Sequence, residues 1–403
     1  MTAPLHGIRV LDLSRVFSGP FATQMLADLG ADVIKVERPG VGDEARYQGA
    51  PLRDADGRPL DWTSSFLAMN RGKRSIAIDV ANPEGQALVR GLARQSDVFI
   101  ENFKAGDLAR HGLDYASLRA VNPRLVYCSI TGFGQDGPRA RQPGYDLVFQ
   151  AMSGIMSMTG EPDGPPQRVG YSVSDITAAY HAVIGILSAL HARQAGLCEG
   201  QHIDIALLDC QLAAASHVAM GYLLSGSQPA RIGTRSHFMV PYQAFDCADQ
   251  PLVVMCGNDD QFRRLAAALG LPGLADDARY AANLQRMRHQ DTLVPLLEDA
   301  LRARPRAHWL EALDRAGVPC APIQDFQQAF DDPQVRHRQV VTRLPFAPTG
   351  TLPMVANPVR LSETPVEYRR PPPALGEHTE EICAQLLQVP VERLRALREQ
   401  GIL

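Results

Sequence analysis

Paired cysteine chemistry is what this chain most plainly lacks. Its seven cysteines, Cys128, Cys198, Cys210, Cys247, Cys256, Cys320 and Cys383, are scattered without a Cys-x-x-Cys pair. An odd, dispersed set fits reduced thiols and excludes a closed disulfide framework. The eleven histidines are equally dispersed, with no His-Glu-x-x-His and no compact ligand spacing, so no metal site is expected. Basic charge is short as well: 40 Lys and Arg against 44 Asp and Glu leave a net charge of −4. That balance gives no electrostatic footprint for nucleic acid. No apolar run approaches the roughly 20 residues of a membrane span. The opening "MTAPLHGIRVLDLS" has no basic segment leading into an apolar one. A cytoplasmic protein with no membrane partner is the expectation.

What is present is an ordinary globular composition, 45% hydrophobic and 21% charged, over 403 residues. That length exceeds one compact core and favours two domains. The chain opens on a βαβ pattern, with "IRVLDL" as strand, "PFATQMLADLG" as helix and "ADVIKVE" as strand. The alternation continues through "NPEGQALVRGLARQ" and "SDVFIENF", then "YASLRAVN" and "RLVYCSITGFG". Strands alternating with helices predict an α/β fold whose parallel sheet is covered on both faces. "ARYQGAPLRDADGRPLDWTS" between them is expected to be a surface loop. A large domain over 1–224, completed by 331–403, and a small α/β domain over 225–330 follow from the change of character at "SGSQPARIGTRSH". The tail predicts a proline spacer and two short helices.

The first βα turn, "SRVFSGP", tests for a dinucleotide. Glu37 sits at the acidic position after the second strand, but Gly19 is the turn's one glycine. Without Gly-x-Gly-x-x-Gly the pyrophosphate cannot approach the backbone, which disfavours a nicotinamide oxidoreductase. Basic residues nonetheless stand near strand ends, at Arg15, Arg38, Lys73, Arg74 and Arg110, where a phosphorylated ligand would lie; the alternative is that each is a solvated surface charge. "SITGFGQDGP" (129–138) offers backbone freedom near the same edge, or is a plain turn. In "CGNDDQFRRL" capping accounts for Asp259 and Asp260, and Gly257 is left as a candidate for a mobile loop.

"GYSVSDITAAYHAVIGIL" (170–187) poses the sharper question. A single carboxylate, Asp175, guards a helix of small apolar residues. Ser174 could cap that helix as well as Asp175 could, so one of the two is redundant as a cap. Local sequence alone favours Asp175 as a cap.

The ordered set "VLDLSRVFSGPFATQMLADLGADVIKVERPGVGD", "NRGKRSIAIDV", "SDVFIENFKAGDLARHGLDY", "YCSITGFGQDGP" and "VSDITAAYHAVIGILSAL" resembles the family III (CaiB/BaiF-type) CoA-transferases, from about residue 5 to the end. Within the family, "GTRSHFMVPYQAF" and "PPPALGEHT" look most like the succinyl-CoA:glutarate, or dicarboxylate, branch. The resemblance implies a Rossmann-like large domain with a smaller one, and an interlocked homodimer. It implies Asp175 as nucleophile and coenzyme A as a substrate, with no tightly bound cofactor. It places Arg15, Val16, Arg38, Lys73, Asn102, Phe103 and Arg110 at or beside CoA-contact positions. Formyl-CoA transferase has glutamine where this chain has Phe17, which counts against oxalate or formate; the racemase of the family has its histidine where this chain has Tyr145, which counts against racemisation. An acceptor's second carboxylate would need a buried partner, and a bidentate arginine suits it best. Arg235, helped by His237 or Tyr145, is the candidate, with a plain surface charge as the alternative. A catalytically silent CoA-binding protein is the reading from another class, and an intact Asp175 argues against it.

Overall fold

A computed structural model describes residues 2–403. The expected strands are β1 (Arg9–Asp12) and β2 (Asp32–Glu37), joined by a helix over Ser18–Asp28. A hairpin of β3 (Pro51–Arg53) and β4 (Pro59–Thr63) follows, and then β5 (Lys73–Ala77), β6 (Val98–Glu101), β7 (Val126–Thr131) and β8 (Gln201–Ala206). Six of these strands form one parallel sheet in the order β5-β2-β1-β6-β7-β8, which is 3-2-1-4-5-6 when they are counted alone. That is a doubly wound order, and it opens a crevice at the carboxyl ends of the strands beside β1.

Strand periodicity explains the two cores. Val10, Val33 and Val98 point to one face, where Ala22, Leu26, Ala182, Ile186 and Leu207 cover them. Their neighbours Leu11, Ile34 and Phe99 point to the other, under Leu92, Leu118, Ile382 and Leu394. The helix Val173–Gln194 departs from the sequence reading. With 22 residues and a mean hydropathy of 1.4 it is long and apolar enough to cross a membrane. Its composition has an internal cause, since Ala178, Ala179, Ala182 and Ile186 are buried against the sheet.

By contact, Met1–Ser153, Gly170–Ala219 and Arg336–Leu403 form one compact unit, and Gly154–Val169 with Met220–Val335 a second. Residues 154–169, read from the sequence as part of the large domain, therefore group with the second unit. The Gly233 N–H donates to the Gly160 carbonyl at 2.9 Å, and Arg231 donates to the Ser157 carbonyl at 3.3 Å. The second unit carries an antiparallel sheet of β9 (Tyr242–Phe245), β10 (Leu252–Met255) and β11 (Cys320–Pro322) in the order β11-β10-β9. Helices Asp259–Ala268, Gln290–Arg302 and Arg306–Arg315 bring Phe262, Leu265, Leu293, Leu297 and Trp309 into its core.

Two hairpins were not anticipated. The polar excursion read as a loop contains β3 and β4. The segment before the tail contains β12 (Val341–Phe346) paired with β13 (Gly350–Val355), whose Leu344, Phe346, Leu352 and Met354 pack with Leu67 and Trp62. The "LGEHT" segment closes the β5 edge: the His378 N–H reaches the Ser75 carbonyl at 2.9 Å, and the Ala77 N–H donates to Thr379 Oγ1 at 3.1 Å. The otherwise open edge is thereby paired.

Gly19 stands where a Cβ would overlap the Ser14 side chain, while a Cβ on Gly170 would meet nothing within 4 Å. Gly19→Ala is expected to cost about 1–3 kcal/mol through overpacking. Gly170→Ala should be close to neutral. Urea-denaturation midpoints of the two variants check the contrast.

Candidate active site

Asp175 lies in the first turn of the helix Val173–Gln194. The Ser172 side chain at the N-cap makes no capping bond. The helix end is closed from elsewhere: Asp146 Oδ1 accepts the Ser174 N–H at 2.8 Å, and Gln150 Nε2 donates to Asp146 Oδ2 at 2.6 Å. Asp146 thus does the capping that the sequence left between Ser174 and Asp175. Asp175 is free for another task.

Asp146 itself opens the short helix Asp146–Met152, which is pinned by the buried ring of Phe149. Gly132 and Gly144 make room for that ring, since a Cβ on either would collide with it. Gly132 in "SITGFGQDGP" is therefore a packing glycine. The helix so fixed sets one carboxylate beside another. Burial and the Asp146 charge, opposed by a hydrogen bond from Ser18, push the Asp175 pKa up to about 7. The result is a half-buried carboxylate poised between its two forms at neutral pH.

Ser18 is delivered by the turn between β1 and its helix, and that turn is gripped from below. The Asp12 carboxylate accepts the Ser14 N–H at 2.9 Å and Thr23 Oγ1 at 2.6 Å, and pairs with the Lys73 ammonium at 3.1 Å. Lys35 Nζ donates to the Ser14 carbonyl at 2.9 Å and pairs with Asp43 Oδ2 at 2.8 Å. Both lysines are fully buried. Burial pulls the Lys73 pKa down to about 8 against the pull of Asp12. Burial also opposes Lys35, but Asp43, Asp12 and Glu37 outweigh it and hold that ammonium above its ordinary value. Asp43, for its part, is held at about 2, Lys35 overcoming the cost of burial.

The expected CoA-contact residues separate into two groups. Arg15, Val16, Asn102 and Phe103 come together at the carboxyl ends of the adjacent strands β1 and β6. The Arg15 N–H donates to Asn102 Oδ1 at 2.9 Å, Asn102 Nδ2 donates to the Arg15 carbonyl at 2.7 Å, and the Arg15 guanidinium lies 4.7 Å from the Phe103 ring centroid. Arg38 is exposed just after β2, and Arg110 is exposed with its guanidinium 4.0 Å from Asp107. Lys73 stands apart. Its Nζ is enclosed by Asp12, the Pro20 carbonyl at 2.9 Å and Asn70 Oδ1 at 2.8 Å, with no donor left for a ligand. Arg74 is likewise engaged, by Asp32 and Glu381. Placing these two at ligand-facing strand ends is corrected by that geometry: they open β5, and their heads are turned into the protein. Glu37 is saturated too, by Arg46 at 2.7 Å and Ser75 Oγ at 2.6 Å.

Phe17 packs 6.3 Å from Phe21, centroid to centroid, and Tyr145 is 78% exposed one residue before Asp146. Arg235 and His237 belong to the second unit. There Arg235 Nε donates to the Ile232 carbonyl at 3.1 Å, and His237 meets the Phe238 ring edge-on. "CGNDD" is a capping structure: Asn258 Oδ1 accepts the Gln261 N–H at 2.8 Å, Asp259 pairs with Arg286 at 2.8 Å, and the Gly257 N–H is tied to Gln261 Oε1 at 2.6 Å.

Sequence reading missed Asp146, Ser18, Asp12 and Asp43. Asp146 and Gln150 are four apart on one helix, a pairing signal that was open to view. The others act through tertiary contacts and carry no local signature.

The sequence profile of CoA-transferase family III matches residues 5–379. A succinate–glutarate CoA-transferase of Agrobacterium fabrum is 48% identical over 385 residues, 95% of this chain and 96% of that protein. An acetyl-CoA:oxalate CoA-transferase of Acetobacter aceti is 42% identical over 369 residues, 91% and 92% of the two chains. A crystal structure of a CaiB/BaiF family protein from Brucella suis superposes with a TM-score of 0.84 at 42% identity, covering 96% of this chain and 100% of that one. A doubly wound sheet matched along nearly its whole length to such proteins is therefore placed: the chain belongs to the family III CoA-transferases.

Proposed function

We propose that the chain moves CoA between an acyl-CoA donor, succinyl-CoA in the first instance, and a small dicarboxylic acid, with Asp175 as covalent nucleophile. The observation that carries this reading is the Asp175 carboxylate itself, relieved of capping by Asp146 and raised to a pKa of about 7. A carboxylate of that basicity attacks a thioester carbonyl better than an ordinary aspartate does, and enough of it is ionised at neutral pH. Asp175 attacks the donor thioester, CoA thiolate leaves, and an aspartyl–acyl anhydride forms. The thiolate then attacks the Asp175 carbonyl, which frees the donor acid and leaves an aspartyl-CoA thioester. An acceptor carboxylate attacks that thioester, releasing the thiolate again. Attack of the thiolate on the acceptor's carbonyl yields the new acyl-CoA and regenerates Asp175. No reductant, metal or further co-reactant enters the balance.

The dicarboxylate acceptor rests on the names of the relatives, glutarate for one and oxalate for another. Phe17 argues against oxalate here, and the oxalate-named relative places that acid in the test panel. Arg235 is proposed to pair with the acceptor's distal carboxylate, and His237 or Tyr145 is proposed to assist in holding the acceptor. A homodimer is proposed as the working form. Support comes from a cavity of about 1210 Å³ in the first unit, lined by apolar residues such as Met25, Leu187, Met354 and Leu361. Ile184 and Tyr171 are exposed on the same unit. The cytoplasm is the proposed setting, since all seven cysteines are unpaired.

Three outcomes test the reading. Asp175→Asn should fold and lose transfer entirely, and hydroxylamine added with acyl-CoA should modify Asp175 in the wild type; label on another residue overturns the assignment. The rate kcat/KM for acyl-CoA should rise with pH through about 7 and level off above it, because the carboxylate must be ionised to attack. Asp146→Asn removes the like charge, so the rise should move to lower pH. Finally, Arg235→Ala should reduce kcat/KM for glutarate about tenfold or more beyond its effect on a monocarboxylate of equal length, as loss of a charge-assisted pair predicts. Equal losses would remove Arg235 from the acceptor site.

A further inference from the structure

The turn that carries Ser18 to Asp175 contains one residue in a conformation its side chain resists. Val16, β-branched, has φ +67°, in the left-handed region. Such a residue persists only where its surroundings over-determine it. The surroundings here are specific. Asp43 Oδ1 accepts the Val16 N–H at 2.9 Å and the Ala45 N–H at 2.9 Å, while Oδ2 holds the buried Lys35 ammonium at 2.8 Å. Lys35 in turn binds the Ser14 carbonyl, and Asn102 holds both backbone groups of Arg15. Residues 14 to 16 are thus each held through the backbone by side chains from β2 and from the segments that follow β2 and β6. Asp43 is the one that holds the strained member.

From this geometry we infer that Asp43 is a positioning residue for CoA transfer: by clamping the Val16 N–H it keeps the turn in the left-handed conformation from which the helix Ser18–Asp28 sets out to pack, Phe21 against Tyr180 at 6.1 Å, on the helix whose first turn carries Asp175. The inference rests on Asp175 being the nucleophile. Released from Asp43, Val16 relaxes to negative φ, the chain direction changes two residues before Ser18, and the start of that helix shifts against the helix of Asp175. Asp43 touches no reacting atom. Its effect passes through one backbone bond.

A rescue experiment separates positioning from simple support. Asp43→Ala should lower kcat by about 10- to 100-fold, the scale on which small misplacements act. Glycine enters the left-handed region freely, so Val16→Gly in the Asp43→Ala background should restore kcat about fivefold or more while leaving the thermal midpoint depressed. A second variant covers failure of Asp43→Ala to fold. Replacing Val16 by its α-hydroxy acid turns the one amide into an ester and removes the donor, with the Lys35–Asp43 pair intact. That ester should lower kcat about tenfold with little change in thermal midpoint, and should move the pH at which activity rises upward, because Asp175 loses Ser18 while Asp146 stays in place. Unchanged kcat in the ester, or no recovery in the double variant, overturns the inference. Hydroxylamine labelling of the wild type keeps the two levels apart: label on Asp175 with an indifferent ester sinks only the role of Asp43, whereas label elsewhere sinks the nucleophile.

Discussion

Lys35 and Lys73 carry two ammonium groups into the fully buried floor of the first βα turn, and neither could remain charged there without a carboxylate in contact. Asp43 answers one and Asp12 the other. Each carboxylate then uses its remaining lone pairs on the backbone or hydroxyls of the turn above, so that pairing the charges and shaping the turn are one act. Breaking one partner of such a pair leaves an uncompensated charge in a low-dielectric site, which is costlier than never having built the pair. The turn therefore inherits its rigidity from electrostatics beneath it, and needs no glycine-rich sequence to hold its shape.

This arrangement also explains how a doubly wound sheet serves a CoA thioester without the dinucleotide fingerprint. The crevice beside β1 is where such sheets bind ligands. In place of repeated glycines, the turn has Gly19 for close packing on Ser14 and a strained Val16 held by Asp43. Glu37, at the position that would meet a ribose, is enclosed by Arg46 and Ser75. Fold and chemistry are separable here: the sheet supplies the crevice, and the side chains on its rim decide what enters.

Much of the sheet was legible because strand and helix periodicities alternate cleanly from residue 9 to residue 131, and the strand ends fell within a few positions. The hairpins β3–β4 and β12–β13 were not. Their strands contain Pro51, Pro59, Pro345 and Pro353, and proline in a run argues against a central strand while remaining compatible with a free-standing hairpin edge. Asp175 was legible as a residue worth explaining, though its local sequence pointed to a cap; only Asp146, 29 positions earlier, shows why the cap is not its work. Lys73 was misplaced for a related reason. A lysine at the start of a strand reads as solvated until Asp12, 61 residues away, is seen to hold it.

Asp146 draws these strands of argument together, because it performs two functions that pull in the same direction. By accepting the Ser174 N–H it stabilises the helix start, as a carboxylate at that end should. By standing near Asp175 it raises the energy of that residue's anion, on top of the cost of burial. In the proposed mechanism, conversion of that anion to a neutral anhydride or thioester removes the repulsion and the desolvation together. A pKa raised from 3.8 to about 7 corresponds to a few kcal/mol of ground-state tension, on the order of 1.4 kcal/mol per unit, that the proposed acylation relieves. The Ser18 hydroxyl offsets part of it and keeps a usable fraction of the carboxylate ionised. The helix cap and the raised basicity of Asp175 are thus two effects of one side chain.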